Sequence, residues 1–230
     1  MKRYFADSWK AIPRVMRRLQ GISSMVALSD LRLSQHSGLQ ELGWFRSYRE
    51  RIPVNNDGDP LPWFTYPAIT FIEGRVNSSM KVFEYGSGFS TLWWSKRVAQ
   101  VVSCEGDKEW HARMNENSPD NSEVFNSEVF YVDPEDGDAY ARSSERFEKH
   151  FDIGLIDGAD RNTCARHILS ALKDDGVIIW DNSDRDKYQD GYDYLISQGF
   201  KRIDFRGFGP INAYLWGTSI FYRPNNCMGI

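Results

Sequence analysis

Cysteine and histidine are scarce in this sequence. Three cysteines, Cys104, Cys164 and Cys227, are scattered through 230 residues, and only four histidines accompany them. No cysteine falls in a CxxC or other zinc spacing, and an odd, dispersed set gives no disulfide framework. A reducing, cytoplasmic setting is therefore the expectation. No Ser/His/Asp or Cys/His nucleophile set emerges either. His150 precedes a predicted strand, at the wrong end of a sheet for catalysis; His111 suits a surface or half-buried role, and His36 and His167 have no evident partner. Long apolar runs are also missing, so no segment is suited to cross a bilayer. After Met-Lys-Arg the apolar residues are broken by Asp7, Lys10 and Arg14, which leaves no export signal core. Positive charge is not in excess: the formal net charge of -4 disfavours general nucleic-acid binding. Low-complexity tracts are absent.

What remains is an ordinary globular composition, 41% hydrophobic and 26% charged, in a chain long enough for one substantial core and a small appendage. Aromatics reach 14% with eight tryptophans, enough to fill a core and still line a pocket. Residues 1–20 mix Lys2, Arg3, Lys10, Arg14, Arg17 and Arg18 with aromatic and apolar side chains, and Pro13 interrupts any long helix. Such a segment reads as a helix on the domain edge with its charges in water, or as one resting on a membrane surface or acidic partner. The stretch 52–67, rich in Pro, Asn, Asp and Gly, reads as a loop. It divides an N-terminal helical extension, residues 1–60, from a main domain at 61–230.

From Lys81 onward strands alternate with helices. Apolar runs at Val82–Tyr85, Val101–Cys104, Val129–Val132, Ile153–Ile156 and Val177–Trp180 predict strands. Between them Ser90–Val98, Asp107–Glu116, Ala139–Lys149 and Thr163–Leu172 predict helices, and Tyr66–Arg75 a short helix before the first strand. This alternation implies a parallel sheet covered on both faces. Arg202–Phe205 and Tyr214–Tyr222 predict two further strands in a hairpin-like pair, giving an antiparallel edge. Asn121-Ser122-Glu123-Val124-Phe125 is repeated at once as Asn126-Ser127-Glu128-Val129-Phe130, which blurs the start of the third strand.

Open parallel sheets bind ligands beyond the carboxyl ends of their strands. After the first strand comes Glu84-Tyr85-Gly86-Ser87-Gly88-Phe89-Ser90-Thr91, a turn whose glycines admit a ligand close to the main chain. The second strand ends at Glu105, beside Gly106, where a carboxylate can accept from both hydroxyls of a ribose. Turn and acid together point to a nucleoside. A dinucleotide G-x-G-x-x-G fingerprint would have its third glycine at 91, where this chain has Thr91, and a G-x-x-x-x-G-K-[ST] phosphate loop is absent. A ligand with ribose and no phosphate, such as S-adenosylmethionine, fits better.

Val82-Phe83-Glu84-Tyr85-Gly86-Ser87-Gly88-Phe89-Ser90-Thr91 resembles the first motif of class I S-adenosylmethionine-dependent methyltransferases. Phe151-Asp152-Ile153-Gly154-Leu155-Ile156-Asp157-Gly158 is similar to their fourth-strand motif, and Leu172 through Asn182 to the fifth strand and its entry turn. The resemblance runs from about Tyr66 to the C-terminus. It implies an α/β, Rossmann-like, seven-stranded, mostly parallel sheet with helices on both faces and the last strand antiparallel. By the same resemblance Glu84 and Gly86, Ser87 and Gly88 hold the methionine end of the cofactor, with Ser90 and Thr91 capping the helix or donating there. Tyr66 would close over that end, and Asp133 would neighbour the adenine, with Asp138 and Tyr140 as weaker candidates and Trp110 over its face.

Asp157, Asp181 and Asn182 follow adjacent central strands and should converge. In metal-dependent O-methyltransferases, similar to the catechol and caffeoyl-coenzyme A enzymes, such residues hold a divalent ion, and oxygen ligands suit Mg2+. Those enzymes often carry a lysine shortly after the first Asp, where this chain has Asp160-Arg161. Asp157 or Asp160 could then act as general base, and Arg161 could anchor an anionic group. The alternative is that Asp157 orients the cofactor, Asp181-Asn182 caps a helix and Arg161 pairs with Asp160. Trp44-Phe45, Trp63-Phe64-Thr65-Tyr66 and the loop 206–212 are candidates to roof the cleft. The expected activity is methyl transfer to a hydroxyl of a small molecule, a sugar or a phenol, by a monomer or homodimer. A non-catalytic cofactor-binding module and a nicotinamide-dependent oxidoreductase are the rival readings.

Overall fold

The computed structural model describes residues 20–34, 37–116 and 126–230. The basic aromatic segment before residue 20, His36 and the first copy of the short duplication lie outside the described residues. Three helices come first: α1 (Gln20–Leu33), α2 (Gly38–Glu41) and α3 (Trp44–Glu50). Then follow α4 (Tyr66–Glu73), β1 (Lys81–Tyr85), α5 (Phe89–Ser95), β2 (Gln100–Glu105), α6 (Lys108–Glu116) and β3 (Ser127–Tyr131). The second half runs α7 (Ala139–Arg142), β4 (Phe151–Ile156), α8 (Arg161–Ala171), β5 (Leu172–Asp181), α9 (Gln189–Ser197), β6 (Lys201–Gly207) and β7 (Trp216–Tyr222). Among the described residues no helix is long and apolar enough to cross a membrane.

The seven strands form one sheet in the order β3-β2-β1-β4-β5-β7-β6. β1 pairs in parallel with both β2 and β4, and only β7 runs against its neighbours β5 and β6. The seven-stranded, mostly parallel expectation holds, with β7 inserted so that β6 takes the edge.

Alternation along each strand decides which helices cover which face. Phe83 and Tyr85 point with Val102, Cys104, Ile156, Ile178 and Trp180 into a core closed by Cys164, Ala165 and Ile168 of α8 and by Tyr192 and Leu195 of α9. Val82, Val101, Ile153, Leu155, Val177 and Ile179 point the other way, onto Ile69 and Ile72 of α4 and Trp93 and Trp94 of α5. Each of these fully buried large side chains stabilises the fold by about 1.5–3 kcal/mol relative to exposure.

Two elements differ from the sequence expectation. The predicted helix Ala139–Lys149 stops after one turn and continues as a 3-10 turn at Ser143–Arg146. Its backbone there is held from the sheet, where the Tyr85 hydroxyl bonds the Ala141 carbonyl and Ser144 Oγ. β5 begins earlier than expected, because Leu172 pairs with Phe151 before a register shift brings Val177 opposite Ile153. Lys173 of the looped-out stretch is anchored to Asp152 at 2.7 Å.

The N-terminal helices pack beside the carboxyl edge of the sheet. Trp44 Nε1 donates to the Asn212 carbonyl at 2.8 Å, and Ser47 Oγ accepts from the Ile211 amide at 3.0 Å. The segment after α3 is thereby set next to the β6–β7 loop.

Candidate active site

Strand order reverses between β1 and β4, and ligands of open α/β sheets lie beyond the carboxyl ends at such a point. The chain leaving β1 turns at Gly86, whose φ of 91° suits glycine. A Cβ on Gly86 would lie 3.2 Å from Gly158 Cα, and one on Gly158 would lie 2.9 Å from the Gly86 nitrogen and 2.0 Å from Tyr140 Oη. The turns after β1 and β4 therefore run backbone against backbone, forming a floor with no room for side chains.

Two carboxylates hold this turn from different sides. Glu84, fully buried, follows the alternation of β1 onto the α5 face. There it accepts hydrogen bonds from Ser90 Oγ at 2.9 Å, from Ser103 Oγ at 2.7 Å and from Thr91 Oγ1. Thr91 Oγ1 also accepts from the Gly88 amide at 3.0 Å. Glu84 and Thr91 thus brace the turn from below, and neither lines the crevice. Glu105, at the end of β2, does line it. Its Oε2 accepts from the Ser87 amide at 2.8 Å and from Ser87 Oγ at 2.6 Å, while Oε1 accepts from the Asp107 amide at 2.8 Å. A carboxylate offers about four lone-pair sites, so about one remains open, and a second opens if the Ser87 hydroxyl rotates away.

Burial raises the Glu84 carboxyl from the ordinary 4.5 to about 7, against the pull of the Thr91, Ser103 and Ser90 hydroxyls. The folded protein thus keeps this proton longer than the unfolded chain does. The resulting stability is complete below about pH 4.5 and is lost as pH rises through about 7, roughly 3 kcal/mol in all. Glu84→Gln keeps the shape without the ionisation. Its unfolding free energy, measured by denaturant titration at pH 4.5 and 7, should fall about 3 kcal/mol less than that of the unaltered protein. Parallel pH dependences would refute the assignment.

Three adjoining cavities open along this edge. A cleft of about 690 Å³ is lined by Gly86, Ser87, Glu105, Gly106, Asp157 and Gly158, together with Lys108, Glu109, Trp110 and Pro134. A second, of about 350 Å³, lies across Ser87, Gly88, Ser90 and Trp110, roofed by Trp63 and Ile211. A third, of about 330 Å³, is lined by Trp63, Arg161, Asp181, Asn182, Arg185 and Tyr214, among others. Asp157 lines all three. Trp110 separates the first two, and its Nε1 donates to the Ser87 carbonyl at 2.8 Å. Three of the six described non-glycine residues with positive φ also line these cavities: Arg51 at 59°, Asn182 at 54° and Ile211 at 69°. Left-handed backbone at a β-branched residue such as Ile211 costs energy, and conformations of this kind concentrate at functional sites.

Several sequence expectations are corrected here. Tyr66 does not reach the cleft: it is buried at the start of α4 and borders a separate cavity with Glu41, Leu61 and Glu73. Asp133 is exposed and bonds the Glu135 amide at 2.9 Å, and its neighbour Pro134 lines the cleft instead. Asp138 is exposed, and Tyr140 is core, with its hydroxyl on the Cys104 carbonyl. Asp160 is exposed at the start of α8, with φ of 35°, and lines none of the three cavities. Arg161 pairs with Asp157 rather than Asp160. Its guanidinium reaches Asp157 Oδ1 at 3.0 Å and the carbonyls of Gly158, Asp157 and Asp181. That leaves it committed to the protein, not to an anchored anion.

The proposed metal ligands do converge, but as a set whose needs the protein already meets. Asp181 Oδ1 accepts from Thr218 Oγ1 at 2.6 Å and from Trp216 Nε1 at 3.1 Å, and its Oδ2 accepts from Asn182 Nδ2 at 2.8 Å. Arg161 supplies the local positive charge. Burial pushes the Asp181 carboxyl well above the usual range, and Asp157 beside it adds to the shift. With Thr218, Trp216 and Asn182 on its oxygens, Asp181 has about one lone pair left to offer an ion. Among the described residues no three His, Cys, Asp or Glu side chains gather as a metal site, and the donor set does not fit Mg2+. Burial also raises the Asp157 carboxyl, against the pull of Arg161. Its side chain stays 27% exposed, facing the cavities.

Sequence reasoning missed Lys108, Glu109 and Pro134 in the lining of the cleft, and Arg185 and Tyr214 in that of the third cavity. Arg185 had one signal: it lies in the loop that follows Asp181-Asn182 at a strand's carboxyl end.

No protein-family model and no curated protein sequence matches the chain. Solved structures do. A methyltransferase from Geobacter sulfurreducens aligns over 87% of this chain and 97% of its own, at 17% identity and a TM-score of 0.51. Precorrin 8W decarboxylase from Methanobacterium thermoautotrophicum aligns over 76% and 97%, at 16% identity and a TM-score of 0.54. The chain spans 56% of the length of spermidine synthase from Thermotoga maritima, which covers 66% of this chain at 16% identity and a TM-score of 0.47. Sheet order, the reversed β7 and the two alignments above a TM-score of 0.5 agree: the chain has a seven-stranded Rossmann-like fold similar to that of the Geobacter sulfurreducens methyltransferase.

Proposed function

We propose that the protein binds S-adenosylmethionine in the 690 Å³ cleft and transfers its methyl group to a hydroxyl of a small molecule. The observation that carries this reading is Asp157, a carboxylate common to the cofactor-sized cleft and both smaller cavities. Within this reading Glu105 receives the ribose hydroxyls, using its open lone pair and the one released when Ser87 Oγ rotates. The glycine floor at Gly86 and Gly158 lets the ligand lie against the main chain, and Lys108, Trp110 and Pro134 enclose the adenine end. The cofactor supplies an electrophilic methyl group: the acceptor oxygen's lone pair forms the O–CH3 bond while the S–CH3 pair stays on sulfur. Asp157 takes the hydroxyl proton, and its raised affinity for protons suits it to the task. Arg161 fixes its orientation. Holding the acceptor oxygen in line supplies much of the remaining acceleration. No step requires a metal.

Calorimetric titration with S-adenosylhomocysteine and with NAD tests this. S-adenosylhomocysteine should bind and NAD should not, because Thr91 replaces the third glycine of a dinucleotide turn. Binding of NAD alone would overturn the reading in favour of an oxidoreductase. Glu105→Ala should weaken S-adenosylhomocysteine by about 10- to 150-fold, the value of one charge-assisted hydrogen bond. Undiminished affinity in that variant would remove the ribose assignment.

A further inference from the structure

The third cavity is lined by a cation that no described residue pairs with. Arg161, on one wall, is almost wholly buried and committed to Asp157 and three carbonyls. Asp181, beneath it, has Thr218, Trp216 and Asn182 on its oxygens. Arg185, which also lines the cavity, is exposed, and its guanidinium has no hydrogen bond, ion pair or aromatic partner among the described residues. Its charge is felt at Asp157, which it helps to hold in the ionised form. With Arg161 committed to Asp157, Arg185 is the cation lining this space whose guanidinium no described residue pairs with.

The surroundings suit a ligand rather than a solvated surface arginine. Trp63 and Tyr214, 44% and 61% exposed, stand as large apolar faces at the cavity's margin. Asn182 is held at φ of 54°, with its amide nitrogen spent on Asp181 and its side-chain oxygen turned to no protein donor among the described residues. The cavity joins the cofactor cleft through Asp157, so a molecule seated on Arg185 would reach the point where the cleft and the second cavity meet.

We propose that Arg185 is a specificity residue: it binds an oxyanion, carboxylate or phosphate, carried on the acceptor, whose ring lies between Trp63 and Tyr214. The planar guanidinium fork matches either oxyanion with two parallel hydrogen bonds, and an aromatic margin favours a ring-bearing ligand. This rests on the methyltransferase reading for the word acceptor, but not for the site itself.

Benzoate and phenyl phosphate serve as anionic probes and benzyl alcohol as the neutral one, titrated into the full chain by protein-observed NMR. S-adenosylhomocysteine is titrated in parallel. Both or either anion should bind at least tenfold more tightly than benzyl alcohol, and the tighter one names the oxyanion. Arg185→Gln should abolish that preference, leave benzyl alcohol unchanged and leave S-adenosylhomocysteine affinity intact, since Arg185 does not line the cofactor cleft. Arg185→Lys, which keeps the charge but loses the fork, should recover part of it. Equal binding of anionic and neutral probes, or an anion preference that survives Arg185→Gln, would overturn the proposal. Failure of S-adenosylhomocysteine to bind while the anion preference holds would instead break the methyltransferase reading and leave the oxyanion site standing.

Discussion

Arg161→Met should destabilise the protein by about 3–5 kcal/mol near neutral pH, because it leaves Asp157 and Asp181 without their buried counter-charge. Methionine preserves most of the aliphatic volume, so lost packing contributes little. For a domain of this size the melting temperature should fall by roughly 6–20 °C. The deficit should shrink at acidic pH, where both carboxyls, already raised by burial, take up protons and no longer need the guanidinium. Denaturant unfolding at two pH values measures both effects. A loss below about 1 kcal/mol would put Arg161 in the class of surface ion pairs. A pH-independent loss would trace it to packing instead.

Gly158→Ala should have the second largest effect, on binding as well as stability. The added methyl would sit 2.0 Å from Tyr140 Oη and 2.9 Å from both the Gly86 nitrogen and the Tyr85 carbonyl carbon. Tyr140 cannot yield easily, since it is buried and its hydroxyl is on the Cys104 carbonyl. The two turns must part, at a cost of about 1–3 kcal/mol for overpacking. That shift would misplace Ser87 and Glu105 together. S-adenosylhomocysteine titration should therefore show a loss at least as large as that of Glu105→Ala. Gly137→Ala is a useful control, because its Cβ would meet nothing within 4 Å. Its φ of 53° confines any cost to local backbone strain. Equal binding in the Gly158 and Gly137 variants would show that the floor is not tight.

The sheet was legible because its signal is local. Short, nearly continuous apolar runs separated by helical stretches needed no tertiary information to give the strands and their parallel direction. Glu105 was legible for a related reason: a strand's last residue has its place in the crevice set by the strand itself. Glu84 lies one turn away and was misjudged, because only the alternation of β1 against α5 turns it downward onto Ser90, Thr91 and Ser103. Tyr66, Asp133 and Asp160 do not line the cleft; each lies in a loop or at a helix start, where no strand fixes the direction of the side chain. Sequence alone leaves Arg161 as an anion anchor or a partner of Asp160, because it does not show that Asp157 and the carbonyls of residues 157, 158 and 181 converge on it. Arg185 escaped notice for the converse reason: nothing near it in sequence reveals that no described residue pairs with it.

The hydrogen bonds from Ser87 and Asp107 to Glu105, with Trp110 fixed on the Ser87 carbonyl, have a kinetic meaning. The turn that would cradle a nucleoside is already ordered by its own side chains, so capture demands little loss of backbone entropy. Association should then be governed by diffusion and orientation rather than by the ordering of a loop. Residence time, in turn, should follow how readily the Ser87 hydroxyl exchanges its carboxylate partner for a ribose.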